Sequence, residues 1–286
     1  MAVYKRSYKA YAGHLTPEWS RFMILPRYGL RGAFRSKFMT AFLVAAFFYP
    51  VWCLCAVYLR YNFSLLEKLN LFGAQRLEIG PSFYWWYLNV QSTLAFLLTT
   101  FLGPGLISTD TSNNALPLYF CRPFSRLEYV IGKFSVLAWV LSLVTWIPGL
   151  LVFFVQAALA ESGWMRANLW VAWSLFVGSW VWIVMLALLS LALSAWVRWR
   201  IAAGALILAV YSLGAGFGQA INAILRTDRG YYFDVGSMTG RVLSGLFGTQ
   251  PRIPMDPFDA WVGLGAIAIV CILLLERRVR AFEVIK

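Results

Sequence analysis

Six stretches of unbroken apolar character divide the chain: Phe38–Leu59, Trp85–Ile107, Phe134–Ala160, Ala167–Val197, Ile201–Leu225 and Ala260–Leu275, none containing a charged residue. An α-helix needs about 20 residues to cross about 30 Å of hydrocarbon, so each stretch predicts a membrane span. The sixth, at 16 residues, is short and needs an interfacial segment to complete it. The fourth exceeds the bilayer, so one of its ends lies outside. The expected fold is an all-α polytopic membrane protein: an arm over 1–37, then a transmembrane domain over 38–286.

The polar positions carry further patterns. In the arm, Thr16, Pro17 and Glu18 form a helix start, with the N-cap, first-turn proline and acidic residue in their preferred places. Trp19, Phe22 and Met23 follow on one face, and Pro26 is expected to kink or end this piece. Arg27, Arg31 and Arg35 then recur every four residues beside the apolar stripe Leu30, Phe34 and Phe38. That period predicts an amphipathic helix on the membrane surface, its guanidinium groups among lipid phosphates. A generic basic flank to the first span is the alternative. Phe83-Tyr84-Trp85-Trp86-Tyr87 reads as an interfacial aromatic belt with a packing role, an aromatic substrate path being the alternative. Pro50, Pro104 and Pro148 predict kinks within spans.

Several spans also hold polar groups. Asn89, Gln91, Thr99 and Thr100 make the second unusually polar, and Gln219 and Asn222 do so for the end of the fifth. Interhelical hydrogen bonding and a substrate path both fit such residues. Gly214 and Gly218 have the GxxxG spacing that lets helix backbones meet, which predicts a helix-pair interface. Asn89, Gln91, Thr99, Gly214, Gly218, Gln219 and Asn222 are therefore candidates for a substrate path or a dimer interface. The Gly-, Pro- and Arg-rich segment 226–259 is too long for a turn, and Ser244–Gly248 suits the membrane interface.

Composition agrees with this pattern. Of 286 residues, 60% are hydrophobic and 13% charged, against about 25% charged in soluble domains. With both termini on the cytoplasmic side, the inner segments hold 17 Lys and Arg and the outer ones 8, which favours that orientation. The same asymmetry accounts for the net charge of +13 without a nucleic-acid partner. No apolar run ending in a small-residue site precedes the first span, so no cleavable signal peptide is expected. Cys53, Cys55 and Cys271 lie in spans and Cys121 in a loop, a distribution that predicts no disulfide. Cys53 and Cys55 point about 200° apart on a helix, which suits packing better than a shared metal ion.

Much familiar chemistry is missing from the sequence. A single histidine, His14, removes most metal, haem and acid–base schemes. The spans hold no paired carboxylates, and there is no G-x-S-x-G elbow. Gly132-Lys133 is followed by Phe134, so it is not a phosphate-binding loop. The expectation is a non-enzyme without a cofactor or metal of its own.

One polar stretch stands out, Asp110–Tyr129, between the second and third spans. Ser125-Arg126-Leu127-Glu128 is a capping box, in which Ser125 accepts the Glu128 N–H and Glu128 reaches back to the Ser125 N–H. A helix therefore starts at Arg126 and runs into the third span. Arg122-Pro123 forces an extended turn before it, and Asn114–Tyr119 forms a short helical or turn element. The layout makes a rigid knob suited to docking.

The run Ile107-Ser108, Asp110, Leu116-Pro117-Leu118-Tyr119, Arg122-Pro123, Ser125-Arg126 and Gly132-Lys133 resembles the loop after the second span in ABC transporter permeases of the type-2 exporter family. Six spans, an amphipathic entry helix, inner termini and a long last outer segment extend the resemblance over nearly the whole chain. Where many relatives carry an acidic residue followed by Gly-Thr, this chain has Asn113-Asn114-Ala115. The resemblance implies that the loop is a coupling helix seated on a separate ATP-binding subunit, with contacts at Asp110, Asn114, Leu116, Tyr119, Arg122, Pro123, Ser125, Arg126 and Glu128. It implies two permease chains, as a homodimer, two ATPase subunits carrying ATP and Mg, and a bacterial inner-membrane location. A lipid or other amphipathic cargo suits apolar spans with few charges. Two other classes remain open: a non-transporting membrane scaffold or assembly factor docking a cytoplasmic partner, and a membrane enzyme.

Overall fold

Ser36 begins the first long helix by accepting the Met39 N–H at 3.4 Å, and Gly80-Pro81, Ser125 and Asp256 begin three others. A computed structural model describes residues 23–62, 79–120, 125–251 and 253–279, and every regular element among them is helical. In chain order these are α1 (Ile24–Phe34), α2 (Lys37–Tyr61), α3 (Pro81–Leu102), α4 (Pro104–Ser112), α5 (Leu116–Phe120), α6 (Arg126–Val144) and α7 (Trp146–Leu159). Then come α8 (Trp164–Trp196), α9 (Arg200–Leu225), a 3₁₀ turn (Arg229–Phe233), α10 (Val235–Leu246) and α11 (Pro257–Arg278). The Thr16-Pro17-Glu18 helix start lies outside the described residues.

Among the described residues, six helical segments are long and apolar enough to cross a membrane: α2, α3 with α4, α6 with α7, α8, α9 and α11. The chain is thus an all-α, multi-pass membrane protein. The sixth span is longer than its apolar run suggests, at 22 residues. Asp256 caps it through the Phe258 N–H at 3.0 Å, Pro257 sits in its first turn, and Arg277 and Arg278 complement the dipole at its other end.

The three span prolines act differently. Pro104 splits the second span at Gly103, where a Cβ would collide with the Ser190 hydroxyl of α8 and crowd the Thr99 carbonyl. The third span breaks at Thr145, and Pro148 lies in the turn that restarts it. Pro50 leaves α2 continuous. Lacking an N–H, it strips the Ala46 carbonyl of its helical donor, and the Gln91 side chain of α3 donates to that carbonyl at 3.2 Å.

The second, third and fourth spans form the centre, with 61%, 67% and 67% of their apolar windows buried within the chain. The first, fifth and sixth reach only 28%, 22% and 22%, so most of their surface faces lipid or another chain. Tyr84 and Tyr87 of the expected aromatic belt are buried, although Trp86 is half exposed. Their hydroxyls explain the burial: Tyr84 donates to Gln156 Oε1 at 2.6 Å and Tyr87 to the Thr145 carbonyl at 2.9 Å, inside the core.

Pro26 does not end α1 but lies in its first turn, where a missing N–H removes no helical bond. Arg27, Arg31 and Arg35 are exposed, as are Phe34 and Phe38. The face that packs is Leu25, Gly29, Leu30 and Ala33. A Cβ on Gly29 would meet Val136 of α6 at 2.6 Å, and one on Gly132 of α6 would meet Leu25 at 2.9 Å. Glycines on both helices thus bring α1 against the start of α6, beside the 110–129 loop.

Candidate functional site

The loop between the second and third spans is built by three local devices. The first ends α4. Asn114 adopts φ 51°, a left-handed conformation that favours Gly and tolerates Asn. This places the Ala115 N–H on the Asp110 carbonyl at 2.8 Å and the Asn114 N–H on the Thr111 carbonyl at 3.4 Å, closing the helix end as a Schellman motif. Asn114 therefore meets a backbone demand that glycine most often meets at helix ends.

The second device is α5, which turns back under the loop. Leu116 is buried, while Leu118 is 70% exposed. Tyr119 and Phe120 pack their rings on Tyr129, with centroids 5.5 and 6.0 Å away. Burial, and then the nearby Asp110 carboxylate, push the Tyr119 phenol above its ordinary pKa, which keeps it neutral. The third device is the capping box. Glu128 N–H donates to Ser125 Oγ at 3.2 Å, and Ser125 N–H donates to Glu128 Oε2 at 2.6 Å. Arg122 and Pro123 lie outside the described residues.

These devices are joined by one polar cluster. Tyr129 is fully buried at the start of α6, and its hydroxyl donates to Asp110 Oδ2 at 2.8 Å. Lys133, one turn further on, places its ammonium 2.8 Å from the same oxygen and 5.5 Å from the Tyr129 ring centroid. The side chains of Lys133 and Asp110 are only 12% and 15% exposed. One carboxylate thus holds the end of the second span to the beginning of the third. Lys133 completes this latch and was not singled out as a site residue from sequence. Its signal is the pairing of an acid after one span with a base one turn inside the next. The outward face of the loop carries Arg126, Leu127 at 72% exposure and Leu118.

The seven span residues singled out for a path or interface do not form one site. Gln91 serves the Ala46 carbonyl exposed by Pro50, and Thr99 is buried with its hydroxyl on the Ala95 carbonyl at 2.8 Å. Gln219 is exposed. Gly214 and Gly218 meet the chain's own 3₁₀ turn. A Cβ on Gly214 would fall 2.7 Å from the Phe233 carbonyl oxygen, and one on Gly218 would collide with that of Gly230. Asn222 fixes the turn by accepting the Gly230 N–H at 2.7 Å. The bare stripe therefore serves a close backbone approach within the chain. Asn89 lines a separate cavity with Ser92, Trp182 and Tyr211.

Cys53 is buried and Cys55 exposed, as opposed helical positions require. Among the described residues no three potential metal ligands converge. Compared with known proteins, the chain matches no family model and no curated protein.

Proposed function

We propose that this chain is the permease subunit of an ATP-driven ABC exporter of the type-2 kind, moving a lipid-like or other amphipathic substrate across a bacterial inner membrane. In this reading the 110–133 element docks a cytoplasmic ATPase subunit, two permeases and two ATPases work together, and both termini face the cytoplasm. The observation that carries the reading is the mechanical construction of the loop. An exposed apolar and basic face, Leu118, Arg126 and Leu127, stands on a mostly buried Asp110–Tyr129–Lys133 latch that ties two spans together.

Force applied to that face passes into both spans. A buried, hydrogen-bonded ion pair is stiff because separating it leaves charges in a low-dielectric setting. The second span is interrupted at Gly103, between α3 and α4, where such a push would be converted into bending. The 17-to-8 distribution of basic residues supports the loop's cytoplasmic side. The weakly buried first, fifth and sixth spans leave room for a second permease. With the Gly214–Gly218 stripe occupied, span five would meet that copy through its other face, near Leu213 and Ile224, both exposed.

The test is reconstitution of the full chain with its ATPase subunit. The chain alone is expected to hydrolyse no ATP and to regulate hydrolysis by the partner. Arg126→Glu should insert and purify as the parent does, yet lose co-purification or coupling, since like charges facing across an interface are costly. If Arg126→Glu and Leu127→Asp both assemble and couple as the parent does, the docking reading of this face is wrong.

A further inference from the structure

A groove of about 830 Å³ lies where the interrupted second span meets the start of α9. Its walls are Phe101 and Pro104 on one side and Ile201, Gly204, Ala205 and Leu208 on the other. Ile201 is 88% exposed and Phe101 44%, so the groove opens outward from the bundle. Two glycines shape it. A Cβ on Gly204 would fall 3.1 Å from the Thr100 carbonyl oxygen, so α9 approaches α3 closely there. One on Gly105 would fall 3.2 Å from Arg200 Nε, so that glycine leaves a seat for the guanidinium.

Arg200 stands at the mouth of the groove, exposed but held in place. Its Nη2 donates to the Phe101 carbonyl at 3.1 Å, in the last turn of α3, where a cation also meets the negative end of the helix dipole. A guanidinium has five N–H donors, and this bond uses one. None of the described residues lining the groove is acidic. Asp110, the acid next along α4, is committed to Lys133 and Tyr129. Arg198, two residues before Arg200, adds a second exposed cation. Trp199 between them is 78% exposed, as suits an aromatic ring at headgroup level.

These features fix both ends of an occupant. At the mouth, a positive charge with free donors matches a phosphate. Beyond it the walls are apolar, and α9 runs from Arg200 to Leu208 for about 12 Å. That is close to the half-thickness of a hydrocarbon core, about 15 Å. A soluble anion would leave the apolar length uncovered, and an apolar molecule would leave the guanidinium donors unused. A second copy of the chain is expected on another face, since Leu213 and Ile224 lie about 140–160° around α9 from Leu208. We propose that the groove binds one anionic glycerophospholipid, its phosphate on Arg200 and an acyl chain along Gly204, Ala205 and Leu208. Arg200 is bonded to a carbonyl just before the Gly103 break, so the bound lipid braces the hinge of the second span. The site stands on binding alone and holds whether or not the chain transports.

The experiment uses the full chain without any ATPase, so its failure leaves the docking test untouched. The chain is placed in nanodiscs of mixed phosphatidylglycerol and phosphatidylcholine, and lipid retained on release from the disc is read by native mass spectrometry. Retention of phosphatidylglycerol is expected to exceed that of phosphatidylcholine by about fivefold or more, the effect of one arginine at a membrane surface. Soluble glycerol phosphate should not displace it. Arg200→Gln should remove the preference, a loss of about fivefold or more. Ala205→Phe fills the groove while keeping the charge, and should cut phosphatidylglycerol retention as deeply. Where Arg200→Gln does not fold, Ala205→Phe decides alone. The proposal is overturned if the two lipids are retained equally, if either folded variant retains phosphatidylglycerol as the parent does, or if glycerol phosphate displaces it. It is overturned too if Ala205→Cys crosslinks between two copies, because a protein surface then covers the groove.

Discussion

Two of the polar clusters in this apolar bundle are built on opposite terms. At the 110–133 loop, Tyr129 and Lys133 both converge on Asp110 Oδ2, and the capping box and helix end beside them are also paired. At the cavity beside Asn89, Ser92 and Tyr211 keep their hydroxyls within an aromatic wall without using them. A fully paired network makes an element rigid, whereas an unpaired buried group is a standing cost. The contrast matches the role proposed for the loop, where a stiff element transmits a push.

The contrast can be broken by mutation, and the largest effect belongs to the latch. Asp110→Ala leaves the Lys133 ammonium mostly buried and unpaired, and should cost about 3–5 kcal/mol, visible as the greatest loss of Tm in a purified series. Replacing Asp110 with Asn and Lys133 with Met together should recover much of that loss, because no charge is then stranded. A double variant as unstable as the single one would show that the pair itself, and not its charge balance, holds the loop. Tyr129→Phe comes next. It removes a hydrogen bond to a carboxylate that keeps its lysine, and should cost about 1.5–3 kcal/mol. Ser125→Ala opens the capping box for about 0.5–2 kcal/mol, and its effect should concentrate in faster amide exchange over the first turn of α6. The smallest change is expected at the cavity beside Asn89, where Ser92→Ala and Tyr211→Phe should lie within about 0.5 kcal/mol of the parent or above it. A loss there as large as that of Tyr129→Phe would mean that these hydroxyls have structural partners after all, and the contrast would collapse.

Much of this architecture was legible as one-dimensional pattern. Spans follow from unbroken apolar runs because hydrocarbon leaves the backbone no option but its own helical bonds. The Ser125–Glu128 box closes within four residues, so its geometry is carried in the string itself. The sixth span was underestimated because only its apolar run was counted, while its cap at Asp256 and its basic final turn lie beyond that run.

What the string alone did not decide were meetings between residues far apart in it. Gln91 reads as a polar anomaly until Pro50, on another helix, leaves the Ala46 carbonyl without a donor. Gly214 and Gly218 read as a helix-pair motif, and only the path of residues 229–233 shows that a returning strand of backbone takes that space. Tyr84 and Tyr87 look like interfacial aromatics by composition, yet their hydroxyls find acceptors inside the bundle. Lys133 passes for a topology charge until α4 and α6 place it on Asp110. Local bonds and hydrophobic length act over a few residues and are written in order along the chain. Pairing across helices depends on which faces meet, and that is settled only when the spans pack.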